Sequence, residues 1–343
     1  MIISRTPFRI SFFGGGTDYP VWYRQHGGAV LATTIDKYCY LTCRYLPPFF
    51  DHRIRVVYSK IETCQKASEI THPAVRAVLG HLGISRGVEI HHDGDLPARS
   101  GMGSSSAFTV GLLNALQALK GTVVSKHALA LESIHLEQEM LKETVGSQDQ
   151  VCAAYGGLNL INFLANGEVV VNPVTISAAR SASLNAQMML YYTGIQRTAS
   201  EVAESYVGSL ENKRKQLGAI QAMVEKSLAI LNSQRDLSAF GELLHEAWMA
   251  KRSLGERVST PHLDGLYERA ITAGALGGKL TGAGGGGFLL LFVPPERQDR
   301  VKAAMQDLLH VPFKFDFSGS RIIFYDPESE YLLQEEARDA KLA

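Results

Sequence analysis

This sequence carries no excess of charge of either sign. Its 34 Lys and Arg are balanced by 34 Asp and Glu, for a formal net charge of zero. Such a chain has no global field to draw it to nucleic acid or to an anionic membrane. An anionic ligand must be held by local devices such as loops, helix ends and single basic residues. Cysteine is scarce: Cys39, Cys43, Cys64 and Cys152 form no C-x-x-C pair and no cluster at zinc-ligand spacing. They read as scattered reduced thiols of a cytoplasmic protein. No apolar run is long enough to cross a bilayer, and the opening MIISRTPFRISFFGGG has no basic segment followed by an apolar stretch. The expectation is a chain with neither a membrane nor a nucleic-acid partner. A G-x-x-x-x-G-K-[ST] loop is missing, as are the H-R-D and D-F-G segments of protein kinases, which excludes those two routes to phosphoryl transfer. Internal repeats and low-complexity stretches are absent too.

What is present is ordinary globular composition, 45% hydrophobic and 20% charged over 343 residues, enough for two lobes with their own cores. IISRTPFRISFF alternates loosely and reads as a strand running into the turn Gly14-Gly15-Gly16. Strands are expected at 29–45, 53–59 and 87–92, then a loop and a helix over 107–119. Cys39 and Cys43 therefore belong to a strand. Ser125 caps a helix reaching about 142, a short helix follows over 148–154, and strands follow near 158–163, 168–176 and 186–192. Beyond about 180 the pattern changes to long helical periodicities at 198–232, 236–254 and 262–274. KLTGAGGGG then leads into the buried strand FLLLFV, followed by a helix, the strand RIIFYD and a polar tail expected to be helical. The expected fold is α+β, with lobes 1–180 and 181–343.

The loop Ser100-Gly101-Met102-Gly103-Ser104-Ser105-Ser106 lies between a strand and an apolar helix. Glycines let backbone N–H groups wrap an anion, the helix end adds unpaired donors, and serine hydroxyls can donate or ligate Mg2+. A second loop, Thr281 to Gly287, matches G-x-G-x-x-G formally but precedes a strand, so it is not a dinucleotide fingerprint and a dehydrogenase is disfavoured. So many glycines in one bend suit a backbone pressed against a ligand. Glu137 falls on the apolar stripe of Ala130, Ile134 and Leu141, three residues after Ile134 and four before Leu141. A carboxylate there is costly unless a cation or donor meets it, so it reads either as an edge position reaching water or as a Mg2+ ligand. Glu139, beside His135, Lys142 and Glu143, reads as solvated. Asp149, just before the short helix, is either a helix cap or a group that orients an attacking hydroxyl.

Three motifs in order resemble those of the GHMP kinases, the family of galactokinase, homoserine kinase and mevalonate kinase. They are Pro7-Phe8-Arg9 through Gly14-Gly15-Gly16-Thr17-Asp18-Tyr19, Leu96-Pro97 through Ser106-Ala107, and Lys279-Leu280-Thr281-Gly282-Ala283-Gly284-Gly285. The resemblance covers nearly the whole chain. It implies a first lobe like ribosomal protein S5 domain 2, a ferredoxin-like second lobe, ATP and Mg2+ as cofactors, and a small-molecule sugar phosphate as partner. Pro97, Ser100, Gly101, Met102, Gly103, Ser104, Ser105 and Ser106 would cradle ATP phosphates. One of the serines, taken as Ser105, would join Glu137 on Mg2+. Asp149 takes the catalytic aspartate's place, and Arg9 the basic position that stabilises the nucleophile or the transferring group. Gly14, Gly15, Gly16, Thr17, Asp18, Tyr19, Gly284 and Gly285 would line the substrate. Galactokinases carry Glu-His where this chain has Gly15-Gly16, so the expected sugar differs from galactose at its C6 end.

The wording GGGTDYP, with QDQ before AAYGG, is most similar to the branch of the family that phosphorylates the anomeric hydroxyl of heptose phosphates. L-fucokinases share it. A phosphorylated acceptor needs a cationic pocket, for which Lys37, Arg24 and Arg99 are the candidates. A sugar sensor without turnover is the rival of a different class, and retention of Arg9, Glu137 and Asp149 argues for the enzyme. The oligomeric state, monomer or homodimer, is left open.

Overall fold

The computed structural model describes residues 1–326 except 198 and 209, together with 331, 333, 334 and 337. Most of the polar tail expected to be helical lies outside the described residues; its residues 333, 334 and 337 are helical.

The large sheet is built on two long antiparallel strands, Ile2–Phe13 and Gly28–Tyr45. Their pairing slips between Pro7 and Arg9 and again between Ser11 and Phe13. Such irregularities bend a strand and re-aim its side chains. Here they fall where Arg9 and Ser11 turn towards a cleft. Gly28–Tyr45 also pairs with Val88–Gly94 and Asn159–Phe163, and Ile54–Val57 and Ile61–Cys64 extend the sheet. The apolar helix Ser104–Leu119 packs across the two long strands with Ala107, Val110, Leu112, Leu113 and Leu116 buried.

A smaller antiparallel sheet runs Leu309–His310, Met188–Tyr192, Phe288–Phe292, Gly277–Leu280. Both faces are covered, which is why FLLLF is a continuous apolar run. Phe288, Leu290 and Phe292 join the main core, while Leu289 and Leu291 face a second core with Tyr191, Trp248 and Tyr267. Helix Ser238–Arg252 lies against Gly277–Leu280 at a contact only glycine allows. A methyl at Gly277 would sit 2.0 Å from the Gly241 carbonyl oxygen.

Three expectations are corrected. RIIFYD does not belong to the second lobe: Arg321–Tyr325 pairs with the first strand, and Phe315–Asp316 pairs with Ile35 and Thr34. The periodicity over 198–232 is broken into Ala199–Val207, the turn Leu210–Lys213 and the helix Arg214–Asn232. The helix expected to reach 142 is α-helical only over Lys126–His135, then widens into a π turn at Leu136–Met140. Helices Pro20–His26, Pro73–His81 and Ala178–Ala186, and the strand Ile61–Cys64, had no counterpart in the sequence reading. Among the described residues no helix is long and apolar enough to cross a membrane.

Candidate active site

Arg9 and Asp149, 140 positions apart, meet in a two-pronged ion pair. Arg9 Nε donates to Asp149 Oδ1 at 2.7 Å and Nη2 donates to Oδ2 at 2.6 Å. Its third arm, Nη1, donates to the Gly101 carbonyl at 2.7 Å, and its backbone N–H donates to the Met102 carbonyl at 3.1 Å. One guanidinium thus ties the first strand, the phosphate loop and the helix Gln148–Tyr155 together. Burial disfavours the Arg9 charge, but Asp149 outweighs that and raises its pKa above the ordinary value. Asp149 is not the cap of its helix. The cap position is Ser147, and Asp149 stands in the first turn, where the helix dipole favours a carboxylate.

Gly103 adopts φ 74° as the N-cap of Ser104–Leu119, with no side chain capping that helix. Its first-turn N–H groups therefore point, without a side-chain partner, at the space beside Arg9 and Asp149. A methyl at Gly103 would come within 3.2 Å of Arg9 Cγ and 3.3 Å of Asp149 Oδ2, so only glycine lets the loop lie this close to the pair. Ser100 and Met102 are buried beneath the loop and, with Pro97, do not line the cavity, whereas Gly101, Gly103, Ser104, Ser105 and Ser106 do.

Glu137 is fully buried in the π turn. Its Oε2 accepts from Ser106 Oγ at 2.8 Å and from Gln150 Nε2, while Oε1 has no partner. Burial pushes its carboxyl up to about 7, against the hydrogen bonds of Ser106 and others. An orphaned buried carboxylate oxygen beside the phosphate loop fits a divalent cation. The serine brought to Glu137 is Ser106, not Ser105, which is exposed. Among the described residues no group of three or more His, Cys, Asp and Glu could hold a metal, so the remaining ligands would be hydroxyl and phosphate oxygens. Glu139 is exposed, as expected.

In the first motif, the Asp18 carboxylate is an organiser. Oδ1 accepts from Gly16 N at 2.9 Å and Oδ2 from Gln148 N at 3.3 Å, while the Asp18 carbonyl accepts from Ser147 N. Burial raises its pKa, with Asp149 adding to the rise. Gly15, Gly16, Asp18 and Tyr19 line the cavity, whereas Gly14 and Thr17 hold the turn against Ala29 from behind. Facing Gly15 are Ser11 Oγ and Gln148 Nε2, 3.5 and 3.7 Å from where its methyl would be, and Ser11 Oγ and Gln148 Oε1 are buried without a partner; neither residue stood out in the sequence.

The second glycine loop is corrected most. Gly284 and Gly285 are not in the cavity lining, where only Gly282 and Ala283 of this loop appear. A methyl would lie 2.4 Å from the Val258 carbonyl oxygen at Gly284, and 2.0 Å from that of Ser100 at Gly287. The glycines press backbone against backbone, seating this loop on the phosphate loop. Of the basic candidates, Lys37 is held by Asp36 and, like Arg24, is not in the lining, whereas Arg99 is. Lys251 and Lys279 also line it; neither was among the basic candidates, although Lys279 opens the third motif. For Lys251 a signal existed: it follows Leu244, Ala247 and Trp248 on the buried stripe of its helix, the same anomaly that marked Glu137.

Arg9, Asp149, Asp18, the phosphate-loop residues 101 and 103–106, Lys251 and Lys279 open on one cavity of about 1000 Å³, which Glu137, buried behind Ser106, does not itself line. Its other end is aromatic: His72 stacks on Phe108 at 4.8 Å, and Tyr58 and His92 meet that pair edge-on at 4.9 and 5.1 Å. Burial lowers the pKa of both histidines, favouring neutral rings.

Comparison with known proteins gives the same picture. "GHMP kinases N terminal domain" matches residues 68–157 and "GHMP kinases C terminal" matches 219–311. The D-glycero-alpha-D-manno-heptose 7-phosphate kinase of Campylobacter jejuni is 30% identical over 332 residues, 93% of this chain and 97% of the relative. The L-fucokinase/L-fucose-1-P guanylyltransferase of Bacteroides fragilis is 25% identical over 90% of this chain but only 36% of its own length. Among solved structures, a D-glycero-D-manno-heptose 1-phosphate kinase from Bacteroides thetaiotaomicron superposes with a TM-score of 0.77 at 23% identity, over 95% of this chain and all of that one. A putative sugar kinase from Campylobacter jejuni gives 0.75 at 27%, over 94% and 97%.

Proposed function

The chain belongs to the GHMP kinase family and is a sugar kinase, and we propose that it transfers the terminal phosphoryl group of ATP to the anomeric hydroxyl of D-glycero-alpha-D-manno-heptose 7-phosphate. The observation that carries the chemistry is the Arg9–Asp149 pair set against an uncapped helix N-terminus. Similarity to the heptose 7-phosphate kinase over nearly both full lengths supports the substrate. So does the open face at Gly15 and Gly16.

In this reading the purine lies in the aromatic end formed by His72, Phe108 and His92, and the phosphates run along Gly101 to Ser106. Glu137 and Ser106 are the residues that would hold Mg2+. Bound there, the ion neutralises phosphate charge as it is redistributed. Asp149 keeps a free lone pair on each oxygen after pairing with Arg9, so it can accept the hydrogen bond of the attacking hydroxyl and take its proton. Arg9 spans the 101–103 turn and Asp149, so a fixed cation would flank both the nucleophile and the phosphoryl group. Because loop, cation and carboxylate are already interlocked, the rate enhancement comes mainly from positioning and preset charge.

The test is ADP release with ATP and Mg2+ against heptose 7-phosphate, mannose 6-phosphate, L-fucose, galactose and no sugar. Turnover confined to heptose 7-phosphate is expected. Turnover on L-fucose instead would keep the site and refute the substrate. Binding of ATP with no turnover on any sugar of the panel would refute the heptose 7-phosphate reading and favour another substrate of the family or a sugar sensor.

A further inference from the structure

Two buried lysines line the cavity. Lys251 is 7% exposed and Lys279 is 4% exposed. Lys251 Nζ donates to the Gly282 carbonyl and Lys279 Nζ to the Phe12 carbonyl at 3.0 Å. Among the described residues neither makes an ion pair. The nearby acids are already engaged, Asp149 by Arg9 and Asp18 by backbone N–H groups. A buried charge without a counter-ion is costly, and an ammonium has three donors to satisfy. Burial, with Lys251 and then Arg9 adding to it, holds the pKa of Lys279 well below its ordinary value, so its charged form is unfavourable until an anion joins it.

The donor's phosphates have their own cradle at Gly101 to Ser106. Lys251 comes from the other lobe, one turn before Leu254, which lies 3.9 Å from where a methyl on Gly16 would be. Its Nζ, held by the Gly282 carbonyl where that residue packs on Gly101, and acted on by Arg9, Asp18 and Asp149, stands between the phosphate loop and the turn that carries Gly16 and Asp18. We propose that Lys251, with Lys279 beside it, holds the acceptor's own phosphate. The inference rests on the reading that the acceptor is a sugar phosphate.

Burial, with Arg9 adding to it, lowers the pKa of Lys251 to about 8, against the pull of Asp18 and Asp149. The groups facing it are Arg9 on the first strand, Asp18 in the glycine turn, Asp149 on the helix Gln148–Tyr155, and Lys279 on its own sheet. A bound phosphate favours the charged form, so affinity for the phosphorylated acceptor falls as pH rises through about 8.

Calorimetry of the full chain without ATP tests this, using heptose 7-phosphate and unphosphorylated heptose. The wild type is expected to favour the phosphorylated sugar by about tenfold or more, the scale of one charge-assisted contact. Lys251→Met should abolish that preference and leave KM for ATP within about twofold of wild type, and Lys251→Arg should restore most of the preference. Persistence of the preference in Lys251→Met, or a loss that falls on ATP, overturns the assignment while leaving the substrate reading intact. A wild type that binds both sugars equally overturns both. Should Lys251→Met fail to fold, the wild-type titration decides: weakening of only the phosphorylated sugar between pH 7 and 9 supports Lys251, and a flat profile contradicts it.

Discussion

At the scale of single residues, the site depends on a few groups placed where they are costly by themselves. Asp149 offers Arg9 both oxygens, so Asp149→Asn replaces one acceptor with an NH2 facing the guanidinium. The expected result is retained ATP binding with kcat down at least about a hundredfold, read in steady-state assays. Near-normal kcat would remove Asp149 from the chemistry. For Glu137 the sign of the pH effect follows from burial, which raises its folded pKa to about 7 from an ordinary 4.5. The folded protein then binds the proton more tightly than the unfolded one, so without metal this group's contribution to stability declines as pH rises from about 4.5 to about 7. Mg2+ needs the ionised form, so its stabilisation of the protein should grow through that window. Glu137→Gln should raise the Mg2+ needed for half-maximal rate. A Tm shift by Mg2+ that is independent of pH, and an unchanged titration in the variant, would discard the assignment.

Residues of this kind were the most legible part of the sequence when they broke a pattern. Glu137 interrupts an apolar stripe and Asp18 sits at a glycine-rich turn, whereas Arg9, inside a strand, and Asp149, in the first turn of a helix, drew their roles from the resemblance. Ser11 and Gln148 break no pattern: they acquire their meaning only from facing Gly15 across the cavity. Ser106 rather than Ser105 meets Glu137 because the helix begins at Ser104, three residues before the first apolar residue that marked its start.

At the scale of elements, glycine separates what could be read from what could not. The loop Thr281 to Gly287 was recognised as special, but its glycines serve contact between protein backbones, which no sequence pattern distinguishes from contact with a ligand. Gly287→Ala should therefore act as a stability variant. With its Cβ 2.0 Å from the Ser100 carbonyl oxygen, the phosphate loop must shift or the second loop lift. A loss on the order of 1–3 kcal/mol in denaturant unfolding is expected. An unchanged midpoint would contradict the packing described. The π turn was illegible for a related reason. Leu136–Met140 carries ordinary helical periodicity, and only the buried partners of Glu137 explain the widened turn.

At the scale of the molecule, the α+β class could be read from the mix of strand and helix periodicities, and the two-lobed arrangement from the resemblance of three motifs far apart in the chain. The return of the chain could not. The strand Arg321–Tyr325 has an unremarkable pattern, yet it covers the edge of Ile2–Phe13, the strand that carries Arg9 and Ser11. Pairing between distant segments is decided by the edge left open in the folded sheet, which local periodicity does not encode. Ending the chain at residue 312 should therefore destabilise the first lobe, although everything removed follows the second. A truncated protein with wild-type unfolding and ATP binding would contradict that.

The central claim joins a phosphoryl donor held by the first lobe to an acceptor whose own phosphate is gripped from the second. The most direct test is 31P NMR of the product formed from ATP and D-glycero-alpha-D-manno-heptose 7-phosphate. The account predicts a sugar with two phosphorus signals, the original and a new one coupled to the anomeric proton, formed with ADP in equal amount. No new anomeric phosphate, or efficient formation of a monophosphate from an unphosphorylated sugar instead, would contradict it.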